Sequence, residues 1–536
     1  MKLFRRVLLP ALLLLAVGWG LGGYSETNDD AAIMLLLRGT MAAAPVTDLH
    51  LYFHGLSALL VWLYEVAPAV SWYPVLLYAL LYAATVGAFT ILDRLLADRV
   101  PAIWATALLL LFFLTAWLEH GLWFNYVRVP ILLAGVGVLL AAQRPASRLA
   151  LLLGVLAFGL GWLIRPSAAL LGLLAAAPGA LWLSGRRALP ILAATVLWAG
   201  LGGSILVFTR TAPAAAYRTL DVLKSNLNDY QLYRLTPRTA TDSLGLAAVR
   251  HWQLADSTLV NPILFQRALT PDIAYFLRHT AVSKLHGLLQ MLVRDYFPLL
   301  LLQAVLLGWL LITPSHQRHR SFWLGQVAYV GLVLALGLVL KLPPRVALPL
   351  LDLWVLSNLL YVLPSVASGV ASRRLVAALL AVLALAAVPY SYKTLHRRQV
   401  LRTEQQRNEM QQPLLMASAG QLVVTDVLPY KSANAFRTPA LRPASVLLLA
   451  GWTSADPSQA AFRQQLTGTR YFPESLRRLA QRPTMAWVLT PAGAAILNRQ
   501  LARLSGLRLQ LVPVGPPVGA GAEVAQRYQP RPQTRN

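Results

Sequence analysis

The chain has 536 residues, 57% of them hydrophobic and 13% charged, and a mean hydropathy of +0.56 excludes a soluble protein of this length. Its formal net charge of +26 would suit a nucleic-acid binder, but the arginines fall largely in short loops between apolar runs and in the C-terminal third. Topology and anionic headgroups account for them there, and no interleaved aromatic and basic pattern speaks for nucleic acid. The absence of cysteine excludes disulfides and thiolate metal sites, so any metal would be held by carboxylate, histidine or water.

The N-terminus, MKLFRR followed by an apolar run over 7–23, has the charged and apolar regions of a signal peptide, yet no A-x-A-like site follows. An uncleaved first span is expected, with the N-terminus cytoplasmic and Tyr24 onward outside. Residues 25–39, SETNDDAAIMLLLRG, come next. Thr27 or Asn28 can cap a helix whose first turn holds Asp29 and Asp30 against the positive dipole end, with Arg38 and Gly39 closing it. Capping alone accounts for these charges, and a catalytic reading needs the rest of the chain.

Further apolar runs of spanning length lie near 72–92, 101–117, 129–143, 149–164, 167–183, 188–208, 296–313, 321–340, 346–364 and 374–390, which makes eleven with the first. Residues 51–67 are apolar too, but carry His54 and Glu65. If they crossed, the arginine-bearing loops 93–99, 143–148, 184–187 and 315–320 would all fall outside, against the positive-inside rule. The segment 25–71 is therefore expected as one outer loop with two membrane-surface helices, near 30–38 and 51–66. The other outer segments are then 118–128, the turns at 165–166 and 341–345, a large loop at 209–295 with amphipathic helical pieces, and everything beyond 391.

Past residue 400, β-like runs at 421–426, 445–453, 485–490 and 507–515 alternate with helical patterns at 458–465, 474–481 and 491–504. The expected fold is thus an α-helical polytopic membrane domain, 1–391, followed by a small extracytoplasmic α/β domain, 392–515. The tail, 516–536, rich in Gly, Pro, Gln and Arg, is expected to be disordered.

With that topology, polar residues collect at the outer face. Asp29 or Asp30 together with Glu119 and His120 could hold a hard divalent ion, although a Glu-His pair at a helix end is also an ordinary solvated cap. Arg165, Lys341 and Arg345 run against the positive-inside trend. A phosphate partner would explain them, and headgroup snorkelling is the alternative. Asp352 lies inside a span, where a carboxylate is a functional candidate or an ion-pair partner. Asp48, His50 and His54 read as interfacial polar residues, and the aromatics of 71–74 and 122–126 as interface anchors.

This layout resembles the C superfamily of integral-membrane glycosyltransferases, which use polyprenyl-phosphate-linked sugars and include protein O-mannosyltransferases, bacterial oligosaccharyltransferases and the aminoarabinose transferase of lipid A. The likeness covers about 1–390 and rests on the acidic loop ETNDD at 26–30 after the first span, Glu119 in the loop between spans three and four, and RVALP at 345–349 opening a late span. It implies sugar transfer from a polyprenyl-phosphate donor to a lipid, glycan or protein acceptor at the outer face of a bacterial-type plasma membrane. Asp29 or Asp30 would be the general base, and Arg345, Lys341 and Arg165 would hold the donor phosphate. A divalent metal bound by Asp29, Glu119 and His120 would be the cofactor, but Glu-His stands where the family often has an acidic triplet. A multi-span transporter or lipid flippase would spread its polar residues through the spans, and an assembly scaffold would not need eleven of them.

Overall fold

The structure, a computed structural model, describes residues 1–312, 319–366, 370–416, 421–437, 441–504, 509–519 and 524–532. Most of the loop at 315–320 and the end segments 520–523 and 533–536 lie outside the described residues. Each of the eleven apolar runs is helical. Among the described residues, seven helical stretches are long and apolar enough to cross a membrane, or eight if the bent pair Ile273–Asp295 and Phe297–Ile312, at 83°, counts as one span. One of the seven, Pro166–Phe208, contains two of the expected runs, while Arg128–Gln143 and Arg148–Ile164 are shorter apolar helices. The chain is a multi-pass membrane protein.

The helices close on one another through small residues. The buried helix Arg128–Gln143 packs on Pro166–Ser184 so tightly that a Cβ at Gly172 would lie 2.3 Å from the Ile131 carbonyl. At one end of the bundle, Arg5 and Arg6 each reach a different oxygen of Asp93 at 2.6 Å, and Arg99 donates to the carbonyls of Leu363 and Val366. This end gathers the first residues of the chain with the loops that follow Trp72–Leu96 and Pro344–Ser365.

The opposite end is tied by residues 25–71, 118–128, 209–295 and the C-terminal domain. Tyr24–Ser25 pairs in parallel with Trp123–Phe124, and the Ser25 amide donates to the Ala433 carbonyl. Helix Leu56–Val66 has 11 residues, roughly half the length needed to cross. Both its flanks are held at this end, by the amide of His54 on the Leu163 carbonyl and by the Trp72 indole on the Ala67 carbonyl. Its Leu59, Trp62 and Val66 face outward, as a surface helix requires. The other outer-loop helix, Asp29–Leu37, differs from expectation: residues 31–37 are all buried, so it is an interior element rather than one laid on lipid. Its apolar residues run all round the helix, and such a helix is buried on every side.

Val370–Leu415 is one helix of 46 residues that runs on beyond the apolar stretch to the C-terminal domain. That domain holds a five-stranded sheet of β1 (Leu422–Thr425), β2 (Val446–Leu448), β3 (Met485–Leu489), β4 (Leu509–Val518) and β5 (Ala525–Pro532), in the order β2-β1-β3-β5-β4. β2, β1 and β3 are parallel, and β5 is antiparallel to both of its neighbours. The tail is therefore corrected in part. Ala525–Pro532 is a strand, and Tyr528 packs into the core of the sheet with Trp487. Its Gly- and Pro-rich composition masked the spacing of Ala525 and Tyr528, the two residues that β5 buries.

Candidate active site

A cavity of about 940 Å³ lies at the tied end, between the bundle and the C-terminal domain. One wall is apolar, with Leu170, Leu174 and Leu340 lining the cavity and exposed. The other walls carry Asp29, Arg165, Lys341 and Arg345, so four of the residues singled out in the sequence share one space.

Two of the cations stand at helix N-termini. Arg165 is the N-cap of Pro166–Ser184, and Arg345 follows the N1 proline of Pro344–Ser365. Both prolines start helices cleanly because they have no N–H to leave unsatisfied. Arg165 donates to the Tyr126 hydroxyl at 2.7 Å, and its guanidinium lies 4.9 Å from the ring centre of Tyr52 and 5.3 Å from that of Tyr126. Among the described residues it is ion-paired to no carboxylate. Arg345 touches Glu26 at 3.4 Å, while Glu26 is gripped more closely by Arg128 at 2.9 Å. Lys341 is half-exposed and paired with Asp229 at 2.6 Å.

The two aspartates have different surroundings. Asp29, partly exposed in the cavity, accepts the Trp452 indole N–H on Oδ1 at 3.1 Å. Asp30 is buried, receiving the Tyr73 hydroxyl at 2.8 Å, the Asn125 amide at 3.1 Å and the Tyr126 backbone amide at 3.1 Å. Burial pushes its carboxyl up to about 8, against the pull of these donors. Asp30 thus fixes Tyr126, which in turn fixes Arg165.

Glu119 and His120 lie outside the cavity, and the expected metal set of Asp29, Glu119 and His120 is not assembled. Glu119 is fully buried and gives one oxygen to Lys393 at 2.6 Å and Tyr390 at 2.9 Å, the other to Arg397 at 2.7 Å. Asp295 joins the same cluster through Arg397. Two cations already neutralise this carboxylate and engage both of its oxygens. His120 pairs with Asp352 at 2.7 Å, both wholly buried. Among the described residues no group of three His, Cys, Asp or Glu side chains is placed to hold a metal. His50 pairs with Asp48 at 3.0 Å, and His54 packs against Trp162.

Several lining residues had no signal strong enough to pick them out. Tyr126 sat in a stretch read as interface anchors, and the partners Glu26 and Arg128 are separated by 102 positions. Trp452 and Asp426 each follow a parallel strand, β2 and β1, and the carboxyl ends of such strands are where open α/β sheets hold ligands. That rule could have pointed to both.

The fold and cavity define a polytopic membrane protein with an anion-compatible chamber, walled by apolar residues on one side and an α/β domain on the other. No family model and no curated protein matches the sequence. Among solved structures, the chain is similar to ArnT from Cupriavidus metallidurans bound to undecaprenyl phosphate, at 13% sequence identity over 97% of each chain, with a TM-score of 0.37.

Proposed function

We propose that the chain is a membrane glycosyltransferase that moves a sugar from a polyprenyl-phosphate donor to an acceptor at the cavity end of the bundle. The observation that carries this reading is a single cavity that joins the exposed Leu170, Leu174 and Leu340 to Arg165, Lys341 and Arg345 and to the partly exposed Asp29. A lipid phosphate needs both surfaces. Its chain would lie along Leu170, Leu174 and Leu340, and its phosphate would meet Arg345, Lys341 and Arg165.

The chemistry follows from the placement of Asp29. An acceptor hydroxyl attacks the anomeric carbon and its proton passes to the Asp29 carboxylate. The bond from that carbon to the phosphate oxygen breaks, and its electron pair leaves on the polyprenyl phosphate, where the cations stabilise the charge. The Trp452 indole N–H orients Asp29 by donating to its Oδ1. Asp30, turned away and holding Tyr126, acts as a positioning residue. Glu26 and Arg128 keep Arg345 aligned without cancelling it.

A transporter would draw instead on polar groups within the spans. Among the described residues, His120 pairs with Asp352 and Asn358 with Gln303 and Gln326, and none of these five lines the cavity. The test is transfer of a radiolabelled sugar from polyprenyl phosphate into native membranes. Asp29→Asn is expected to lower the rate on the order of 100-fold or more while the protein stays folded. Full transfer by that variant would remove Asp29 from catalysis and the reading with it.

A further inference from the structure

The cavity has a second polar wall, distinct from Arg165, Lys341 and Arg345, whose Trp252 and Asp426 the transfer step does not use. It is built where residues 251–254 meet the carboxyl ends of β1 and β2. Helix Ala240–Arg250 ends in a left-handed turn: the Trp252 amide donates to the Val249 carbonyl and the Gln253 amide to the Ala248 carbonyl. This pair of bonds is the Schellman closure, and its left-handed residue is ordinarily glycine. Trp252 occupies it at φ +58°. A bulky side chain is strained in that region, and the turn itself gains nothing from it, so the indole is retained for what it faces. It faces the cavity, with Lys224 Nζ 4.7 Å from its ring centre.

Asp426 lines the same cavity at the carboxyl end of β1. Its carboxylate accepts the Thr490 amide at 2.8 Å and the Thr490 hydroxyl at 2.6 Å, which fixes it at the point where the strand order reverses between β1 and β3. Its Oδ2 lies so close to Gly493 that a Cβ there would overlap it, and the same Cβ would lie 3.0 Å from the Gln253 amide nitrogen. Gln253 is buried with no protein partner for either amide atom, and Thr453, which lines the cavity, has an unpartnered buried hydroxyl. Such groups are rarely left unpaired in a native fold.

A flat indole and a fixed carboxylate lining one cavity, with amide and hydroxyl groups next to them in the chain or across the sheet end, suit a ring that is apolar on its faces and hydroxylated at its edge. We infer that Trp252 and Asp426 form the acceptor subsite and that the acceptor presents a saccharide to Asp29. This rests on the glycosyl-transfer reading and gives that reading its second substrate class. The ring packs on Trp252, and Asp426 accepts hydrogen bonds from its hydroxyls. The acceptor then enters from the domain side while the lipid donor enters between the leucines.

The test uses the full-length protein in lipid nanodiscs, with maltose and cellobiose as saccharide probes followed by saturation-transfer NMR, and polyprenyl phosphate binding measured on the same preparations. Trp252→Gly supplies its own folding control, because glycine is the residue that turn prefers, so thermal stability should hold or rise. Asp426→Asn keeps an acceptor for the Thr490 amide. Both variants are expected to weaken disaccharide binding at least tenfold and to bind polyprenyl phosphate as the wild type does. Equal disaccharide binding by wild type and variants, or none by wild type, overturns the saccharide subsite while leaving donor binding intact. Failure of the wild type to bind polyprenyl phosphate overturns the transferase reading itself.

Discussion

Replacing Glu119 by glutamine separates a structural clamp from a metal site. In the native cluster, two carboxylates, Glu119 and Asp295, face two enclosed cations, Lys393 and Arg397, so the enclosed charges balance, while the exposed Arg294 reaches Asp295 from outside at 3.2 Å. Glu119 is fully enclosed, and its partners' side chains are only 16% and 17% exposed, so water screens the pairs little. Glutamine keeps one acceptor oxygen but leaves a net positive charge at 2.6–2.7 Å from where the carboxylate stood. Breaking a buried pair from one side costs about 3–5 kcal/mol. Asp295 still holds Arg397 at 2.9 Å, which places the expected loss near the low end, about 3 kcal/mol. Thermal unfolding of the purified protein should show a Tm lower by a few degrees, and the Glu119→Gln/Lys393→Met double variant should recover most of it, because charge balance returns. A metal chelator should leave the wild-type Tm in place. An unchanged Tm in Glu119→Gln, or a chelator effect as large as the mutation, would refute the clamp.

Two further outcomes follow from the same geometry. Burial raises the Asp30 carboxyl to about 8 from 3.8, so between those values the folded state binds a proton that the unfolded state has lost. Its contribution is therefore greatest at low pH and declines as pH rises through that window, which makes Asp30→Asn flatten the stability profile between pH 5 and pH 8. A variant whose pH profile of Tm overlays the wild type would count against a neutral, buried Asp30. Arg345→Ala should raise the KM for the polyprenyl-phosphate donor roughly 10-fold to 100-fold, the worth of hydrogen bonds to a charged group, with little change in Tm because Glu26 keeps Arg128. Equal KM values would remove Arg345 from the donor site.

The apolar runs could be placed from composition because a segment that must satisfy its backbone in lipid has only the helix open to it, and 17 to 25 leucine-rich residues mark it directly. Arg165 and Arg345 were legible for a related reason. Each stands beside a proline that opens a helix, in a short turn between apolar runs where the positive-inside trend disfavours arginine. Pairings across the chain were not legible. Lys393 and Arg397 sit 274 and 278 positions from Glu119, on a helix that looked finished at its last apolar residue, and nothing local marks them as its partners. The mistaken metal set has this origin: an acidic residue and a histidine side by side suggest ligands until the cations that neutralise the acid are seen.

The same limit separates the two aspartates. Asp29 and Asp30 are neighbours in the first turn of one helix, and both could interact with its dipole. Successive helical residues point about 100° apart, so a helix wedged between the cavity and the bundle must send one carboxylate into each. The cavity side meets the Trp452 indole from the C-terminal domain, and the bundle side meets Tyr73, Asn125 and the Tyr126 amide. Their different surroundings therefore depend on the interior position of the helix, which residues 31–37 secure by being apolar on every face. A surface helix would have left both carboxylates in water, without the separate partners that now hold them apart.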